Sequence, residues 1–415
     1  MILLSHPTAN QNVRQTALAF AEARLLGEFW TGVNWNRDGL LDRLAGFSPR
    51  LRNELRRRSF LPELAPFVRT DSAREWLRLA AAQLGWNRLI QNEHAPFGID
   101  AVYRSLDRRV AKRITSGLTI KAIYAYDDGA LASFRAARER GIKCIYEHPV
   151  ISWRVVRQLQ GEEADLHPEW ARTLGALRDS EEKLARKDEE LALADLVVTA
   201  SSFARDSVLQ APGLTAPVVV IPYGTHVAGG AGERRQSEGK LRVLFVGALS
   251  QAKGLGYVLE AVTKLAGEIE FTLIGRRVSP TAPAPSLLNQ YRWLPSLPHD
   301  ELLREMSCHD VLLFPSLHEG FGLVMAEAMS QGLVVITTPH TAGPDLISDG
   351  ADGFIVPIRS ADAIEEKLAL LLREPDRLRT MQEAAREKMR ACTWENYRQR
   401  LIRLAREVVD MPVDS

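Results

Sequence analysis

The sequence predicts an α/β protein built from two parallel-sheet domains facing each other across a cleft, on three observations. Short apolar runs rich in β-branched and aromatic residues alternate with helical patterns along most of the chain. The alternation continues on both sides of a flexible break, Ala228-Gly229-Gly230-Ala231-Gly232, which runs into the polar stretch Glu233 to Lys240. A length of 415 residues also exceeds what one hydrophobic core organises, so about two domains are expected. Residues 1–227 are therefore assigned to a first Rossmann-like domain, 228–240 to a linker, 241–394 to a second domain and 395–415 to a closing helix.

Strands of the first domain are expected at Ile2–Leu4, Phe29–Val33, Ala122–Tyr126, Lys143–Tyr146, Leu196–Thr199 and Val218–Ile221. A helix is expected from Val13 to Leu26, and residues 37–95 lack strand signals and read as inserted helices. In the second domain the strands are expected at Leu241–Val246, Glu270–Ile274, Val311–Phe314, Leu333–Thr337 and Phe354–Val356. The stripe Trp394, Tyr397, Leu401 and Leu404 predicts that the closing helix, Glu395–Val409, packs back on the protein body.

Composition narrows the function. With 46% hydrophobic and 25% charged residues the chain is of ordinary globular type. No apolar run reaches the roughly 20 residues that span a bilayer, and Met1-Ile2-Leu3-Leu4 lacks the flank and length of a signal peptide, so a cytoplasmic place is expected. Cys144, Cys308 and Cys392 have no paired spacing for zinc or a redox dithiol and read as buried thiols. The 53 Lys+Arg against 52 Asp+Glu argue against nucleic acid as a partner. That balance hides an asymmetry, because residues 51–150 carry 18 basic and 11 acidic side chains and residues 151–200 carry 7 and 11.

Ligands of open parallel sheets bind beyond the carboxyl ends of the strands, so chemistry is sought there. Phe314-Pro315-Ser316-Leu317-His318-Glu319-Gly320-Phe321-Gly322-Leu323 runs from a strand into a helix that continues through Glu327. Its turn amides and helix N-terminus suit a phosphate, its glycines admit a ligand close to the backbone, and the two glutamates bracket the anion site. Such carboxylates accept hydrogen bonds from hydroxyls on either side of a diphosphate, as a nucleotide sugar offers. A second stretch, Val243-Leu244-Phe245-Val246-Gly247-Ala248-Leu249-Ser250-Gln251-Ala252-Lys253-Gly254, brings a lysine to the entrance of the next helix as a point charge for a diphosphate. Neither a P-loop nor a Gly-x-Gly-x-x-Gly motif occurs.

In this order and spacing the segments resemble the family 4 retaining glycosyltransferases of the GT-B fold. The resemblance covers nearly the whole second domain and rests on Phe245-Val246-Gly247-x-Leu249 with Lys253-Gly254, Pro315-Ser316-Leu317, the Glu-x7-Glu pair Glu319 and Glu327, and Ile347-Ser348-Asp349-Gly350-Ala351-Asp352-Gly353-Phe354-Ile355-Val356-Pro357. Upstream, Ala194–Ser201 and Val220–Thr225 look like the strands that end the family's first domain.

The resemblance implies a retaining, metal-independent transfer of sugar from a nucleotide-diphosphate sugar, which is a co-substrate, with no cofactor. It implies Glu319, His148 and Lys253 as catalytic candidates, and donor binding by Gly247, Lys253, Arg276, Gly320, Phe321, Gly322, Leu323 and Glu327. Within that set Glu327 would hold the ribose, Glu319 the donor sugar, and Lys253 with the amides of Gly322 and Leu323 the leaving diphosphate. Ala248 departs from the family, many members of which have an arginine there; Arg276 or Arg277 stands after the next strand and is placed to compensate. Trp293 and Leu294 border the nucleotide base or belong to the core.

The family's glycine-rich turn after the first strand is replaced by Ser5-His6-Pro7-Thr8-Ala9-Asn10-Gln11-Asn12, whose amides cap the next helix or face the cleft. Asn10, Gln11, Asn12 and Glu147 are thus acceptor-side candidates beside His148. Asp127-Asp128 follows a strand, but Asp-x-Asp occurs nowhere, which disfavours a metal-dependent transferase. Two basic groups, Arg50, Arg52, Arg56, Arg57 and Arg58, and Arg104, Arg108, Arg109, Lys112 and Arg113, read as solvated helix faces or as a surface for anionic membrane or a lipid-linked acceptor. Of these, Arg56, Arg57 and Arg58 are expected to carry peripheral membrane association. A carbohydrate or lipid-linked acceptor is the expected second substrate. A nucleotide-sugar epimerase of the same fold and a non-catalytic nucleotide-sugar-binding subunit are the competing readings.

Overall fold

The computed structural model describes residues 1–8, 10–35, 55, 58–226, 239–279, 282 and 288–410. The first domain holds strands β1 (Ile2–Ser5), β2 (Leu26–Thr31), β3 (Val68–Thr70), β4 (Ala122–Tyr126), β5 (Lys143–His148), β6 (Leu196–Thr199) and β7 (Val218–Val220). They form one parallel sheet in the order β3-β2-β1-β4-β5-β6-β7. The second holds β8 (Leu241–Val246), β9 (Ile269–Ile274), β10 (Arg292–Leu294), β11 (Val311–Phe314), β12 (Val334–Thr337) and β13 (Gly353–Ile355), parallel in the order β10-β9-β8-β11-β12-β13. Strands such as β1, β4, β8 and β11 are buried throughout because helices cover both faces of each sheet. The winding reverses between β1 and β4 and between β8 and β11, which places a crevice at each of those strand ends.

Every expected strand forms, and two more appear. β3 lies inside residues 37–95, expected to be strand-free, and both β3 and β10 are three-residue edge strands with exposed polar positions, too short to show a period. The first helix runs from Gln11 to Glu22 rather than from Val13 to Leu26, because Arg24 at φ +57° turns the chain so that Leu26 begins β2. Cys144 is buried as expected, whereas Cys308 is exposed. No described helix is long and apolar enough to cross a membrane.

The closing helix, Trp394–Asp410, returns to the first domain. Its Tyr397 hydroxyl bonds Thr16 Oγ1 at 2.8 Å on the helix Gln11–Glu22, and Arg398 donates to Gln15 at 2.7 Å. Of the linker, only Gly239 and Lys240 are among the described residues. The other crossing is tight, since Thr225 N–H donates to the Cys392 carbonyl at 2.8 Å beside Gly224.

Of the first basic group, Arg50, Arg52, Arg56 and Arg57 lie outside the described residues. Arg58 corrects the expectation of a lipid-facing charge: it is turned inward, with Nη2 2.8 Å from the buried carboxylate of Glu75. In the second group Arg113 is held by Glu28 at 2.7 Å, while Arg108, Arg109 and Lys112 are exposed.

A Cβ on Gly224 would stand 2.2 Å from the Thr393 carbonyl carbon and the Trp394 nitrogen. Gly224→Ala is therefore expected to destabilise the protein by about 2 kcal/mol, read as a lower urea midpoint with the closing helix the first element to lose protection from hydrogen exchange.

Candidate active site in the cleft

The site is assembled where backbone meets backbone at the β8/β11 crevice. After β9, Gly275 lies against the Gly247 carbonyl so closely that a Cβ would be 1.7 Å from its oxygen, which draws the ends of β8 and β9 together. The turn Gln251–Lys253 ends at Gly254, φ +70°, where a Cβ would lie 2.2 Å from the Pro315 carbonyl oxygen. Leu317 N–H donates to the Ala252 carbonyl at 3.0 Å and fastens the two motif segments side by side. This carries the Lys253 ammonium onto the Glu319 carboxylate as an ion pair, both side chains about one quarter exposed.

Beyond Glu319 the chain passes Gly320 and reaches Gly322, φ +84°, which opens the helix Leu323–Gln331 with no side-chain cap. The first turn of that helix therefore carries the positive end of the helix with no side-chain cap on it, the arrangement that suits an anion. Glu327 lies in the same helix, largely buried. Burial pushes its carboxyl above the usual range, partly offset by His299, whose Nδ1 is 3.7 Å away.

The first domain closes the other side. A Cβ on Gly320 would come 1.9 Å from the Pro149 carbonyl oxygen, and Ser201 Oγ donates to the Gly320 carbonyl at 2.6 Å. Between the domains lies a cavity of about 300 Å³ whose walls include Ile151, Trp153, Gln160 and Lys187 from the first domain and Lys253, His318 and Glu319 from the second. His318 meets the Gln160 side-chain nitrogen at 2.9 Å. Its burial, with Lys253 and His340 adding to the effect, lowers its pKa to about 4 and keeps the ring neutral.

His148 ends β5, 3% exposed, stacked on Tyr146 and with neither ring nitrogen hydrogen-bonded. Its Nδ1 is 3.4 Å from Asp127. Burial, the largest single influence, opposes the charge of Asp127, but Lys187 at 2.5 Å and His148 together outweigh it and hold that carboxyl well below the usual range. Asp128 also binds Lys187, at 2.9 Å, so the Asp127-Asp128 pair is occupied by cations of the protein itself.

Two of the expected acceptor-side residues, Glu147 and Asn12, are drawn into the core. Glu147, an acceptor-side candidate by sequence, points to the opposite face of β5 from His148, into the core. There it accepts hydrogen bonds from Tyr223 at 2.6 Å and Tyr124 at 2.7 Å. Asn12 is bound to the same group, donating to Tyr223 at 3.1 Å. Asn10 precedes the first helix without capping it through its side chain, and Gln11 reaches His226 at 3.0 Å. The Phe321 ring is buried edge-on against Tyr223, so only its backbone belongs to the turn.

Beside Ala248 the backbone of Arg276 and Arg277 runs along the 247–249 loop, with Leu249 N–H donating to the Arg276 carbonyl at 3.0 Å and Leu249 bridged to Arg277. The Arg276 side chain is exposed. Trp293 belongs to β10, 37% exposed, and donates to the Gly275 carbonyl at 2.9 Å, so its ring lies at the surface rather than in the core. Sequence reasoning missed His299, His318 and Gln160, which carry no local signal and enter through packing alone.

Residues 232–388 match the family model of glycosyl transferases group 1. An amylovoran biosynthesis glycosyltransferase of Erwinia amylovora is 31% identical over 147 residues, 32% of this chain and 35% of that protein. The chain spans about two fifths of the length of curated relatives of this kind. Among solved structures, sucrose-phosphate synthase from Thermosynechococcus elongatus superposes with a TM-score of 0.68 at 19% identity, covering 98% of both chains. The Anabaena protein HepE in complex with UDP and glucose superposes at 0.61 with 16% identity, over 98% of this chain and 99% of its own. The fold is GT-B.

With Glu147 in the core, Glu147→Leu leaves buried tyrosine hydroxyls unpaired and is expected to cost about 2 kcal/mol or more of stability by urea denaturation. A variant as stable as the wild type would remove Glu147 from the core network and return it to the acceptor-side candidates.

Proposed function

We propose, from the match of residues 232–388 to the family model of glycosyl transferases group 1, that the protein transfers a sugar from a nucleoside-diphosphate sugar to a hydroxyl of a carbohydrate or lipid-linked acceptor. The transfer retains configuration at the anomeric carbon and needs no metal ion. The setting is the synthesis of a cell-surface polysaccharide or glycolipid, in keeping with the amylovoran relative. One observation carries the reading: Lys253 and Glu319 are locked together beside an uncapped helix N-terminus at the β8/β11 crevice, inside the segment that matches the family.

As the bond from the anomeric carbon to the diphosphate breaks, negative charge builds on the leaving phosphate. Lys253 and the amides of Gly322 and Leu323 meet it, a reading supported by the uncapped helix start and the Lys253–Glu319 contact, and donors that need no rearrangement are the main source of such stabilisation. An ammonium has three donors, so Lys253 can keep Glu319 while it binds a phosphate oxygen. Glu319 holds a donor-sugar hydroxyl, Glu327 the ribose, and Trp293 flanks the base. His148, poised on Asp127, faces the donor sugar from the first domain. The acceptor enters through the 300 Å³ cavity, and its hydroxyl proton passes to the departing phosphate oxygen.

Incubation with a panel of nucleotide sugars, following free nucleoside diphosphate and sugar isomers, tests this. Slow diphosphate release that falls at least about 100-fold in Lys253→Ala and Glu319→Ala is expected. An isomerised intact donor would instead reveal an epimerase, and binding without turnover in the presence of acceptors a binding subunit.

We further propose peripheral contact of the first domain with an anionic bilayer, through the helix Ala73–Gln83 and the turn that follows it. The helix Ala73–Gln83 buries its one carboxylate, Glu75, under Arg58 and Arg78. It turns Trp76 and Leu77 outward, followed by exposed Leu84 and Trp86. Residues 73–92 contain no other acid, so Arg74 and Arg88 give that apolar face a positive rim. Trp76→Ser with Trp86→Ser is expected to abolish co-sedimentation with phosphatidylglycerol vesicles. No binding by the wild type, or a dimer that these substitutions split, would refute the assignment.

A further inference from the structure

Glu163, near the end of the first-domain helix Trp153–Leu166, is fully buried against the second domain. Its Oε1 accepts from Gln251 Nε2 at 2.8 Å and from the Tyr257 hydroxyl at 2.7 Å, and its Oε2 accepts from Arg359 Nε at 2.7 Å. All three donors come from the second domain, from three separate segments. A buried carboxylate persists only where donors surround it, and here they are the means by which one domain grips the other.

Gln251 is also fully buried, and every polar group of it is used. Its Oε1 accepts the Gly256 N–H at 2.9 Å, while its own N–H donates to Thr173 Oγ1 of the first domain at 3.0 Å. Trp170, on the same first-domain excursion, is buried in the cluster that contains Leu249 and Leu255, on either side of this turn. Gln251 and Lys253 open and close a single three-residue turn, and the far end of Lys253 is the ion pair with Glu319.

We propose that Glu163 is a positioning residue for Lys253. Through Gln251 it fixes the turn from which the lysine reaches the diphosphate, so that the lysine takes its place only when residues 153–173 are docked on the second domain. This rests on the transferase reading for its kinetic consequence, but not for its structural one. A main-chain turn held at one end by a buried hydrogen bond and at the other by an ion pair has little freedom, and releasing either end lets the ammonium drift from its partner.

Two measurements test the proposal. Amine acetylation followed by mass spectrometry is expected to label Lys253 at least about threefold faster in Glu163→Gln than in the wild type, since the released ammonium leaves Glu319 more often; unchanged labelling overturns the proposal whether or not the protein turns over a donor. For diphosphate release from a nucleotide sugar that the wild type consumes, Glu163→Gln is expected to lower kcat about tenfold or more with KM little changed. In a Lys253→Met background the same substitution changes kcat less than about twofold, because its effect runs through the missing lysine. Equal losses in both backgrounds would make Glu163 a general structural support and overturn the assignment. Where Glu163→Gln does not melt cooperatively, Gln251→Ala breaks the same link without a charge change and carries the same labelling and cycle. Absence of turnover in the wild type with any donor would count against the transferase reading alone, with the labelling still deciding the link.

Discussion

At Gly254 the chain passes so close to the Pro315 carbonyl that no side chain fits, and the candidate site follows from that contact. It joins two strand-end segments separated by about sixty residues and sets a lysine from one against a glutamate from the other. The same device recurs between the domains, where Gly320 leaves room only for the Pro149 carbonyl. Glycines here act by permitting approach, since the polar backbone groups brought together do the binding and the orienting.

The first domain serves the site by a different route. Its strand ends carry buried polar side chains in two groups on opposite faces of β5. On one face, Glu147 is enclosed by tyrosines and by the returning C-terminal helix; on the other, His148 rests against Asp127, itself neutralised by Lys187. Successive strand residues point to opposite faces, so neighbours in sequence end up with unrelated partners, one among tyrosines and one against an aspartate.

The fold was legible in particular residues. Leu241–Val246 and Val311–Phe314 are continuous apolar runs because their sheet is covered on both faces, and the glycines and lysine after them lie where ligands of such sheets bind. The edge strands around Arg69 and Trp293 were not legible, since three residues show no period. Arg58 read as a surface charge because nothing local reveals that Glu75 lies beneath it. Likewise Asn12 and Glu147 looked like ligand groups by their position after strands, and only packing shows that they satisfy each other's neighbours.

The sequence by itself determined the two parallel-sheet domains, the strand-end segments that carry Lys253, Glu319 and Glu327, and the family they resemble, because all of these depend on local periodicity, turn chemistry and short spacing. The tertiary structure decided which of the polar side chains face the cleft, that the C-terminal helix closes on the first domain, and that Glu163, His299 and His318 stand beside residues more than twenty positions away in sequence. Such meetings depend on the direction of each side chain once helices and strands have packed, and that direction is set by neighbours distant along the chain.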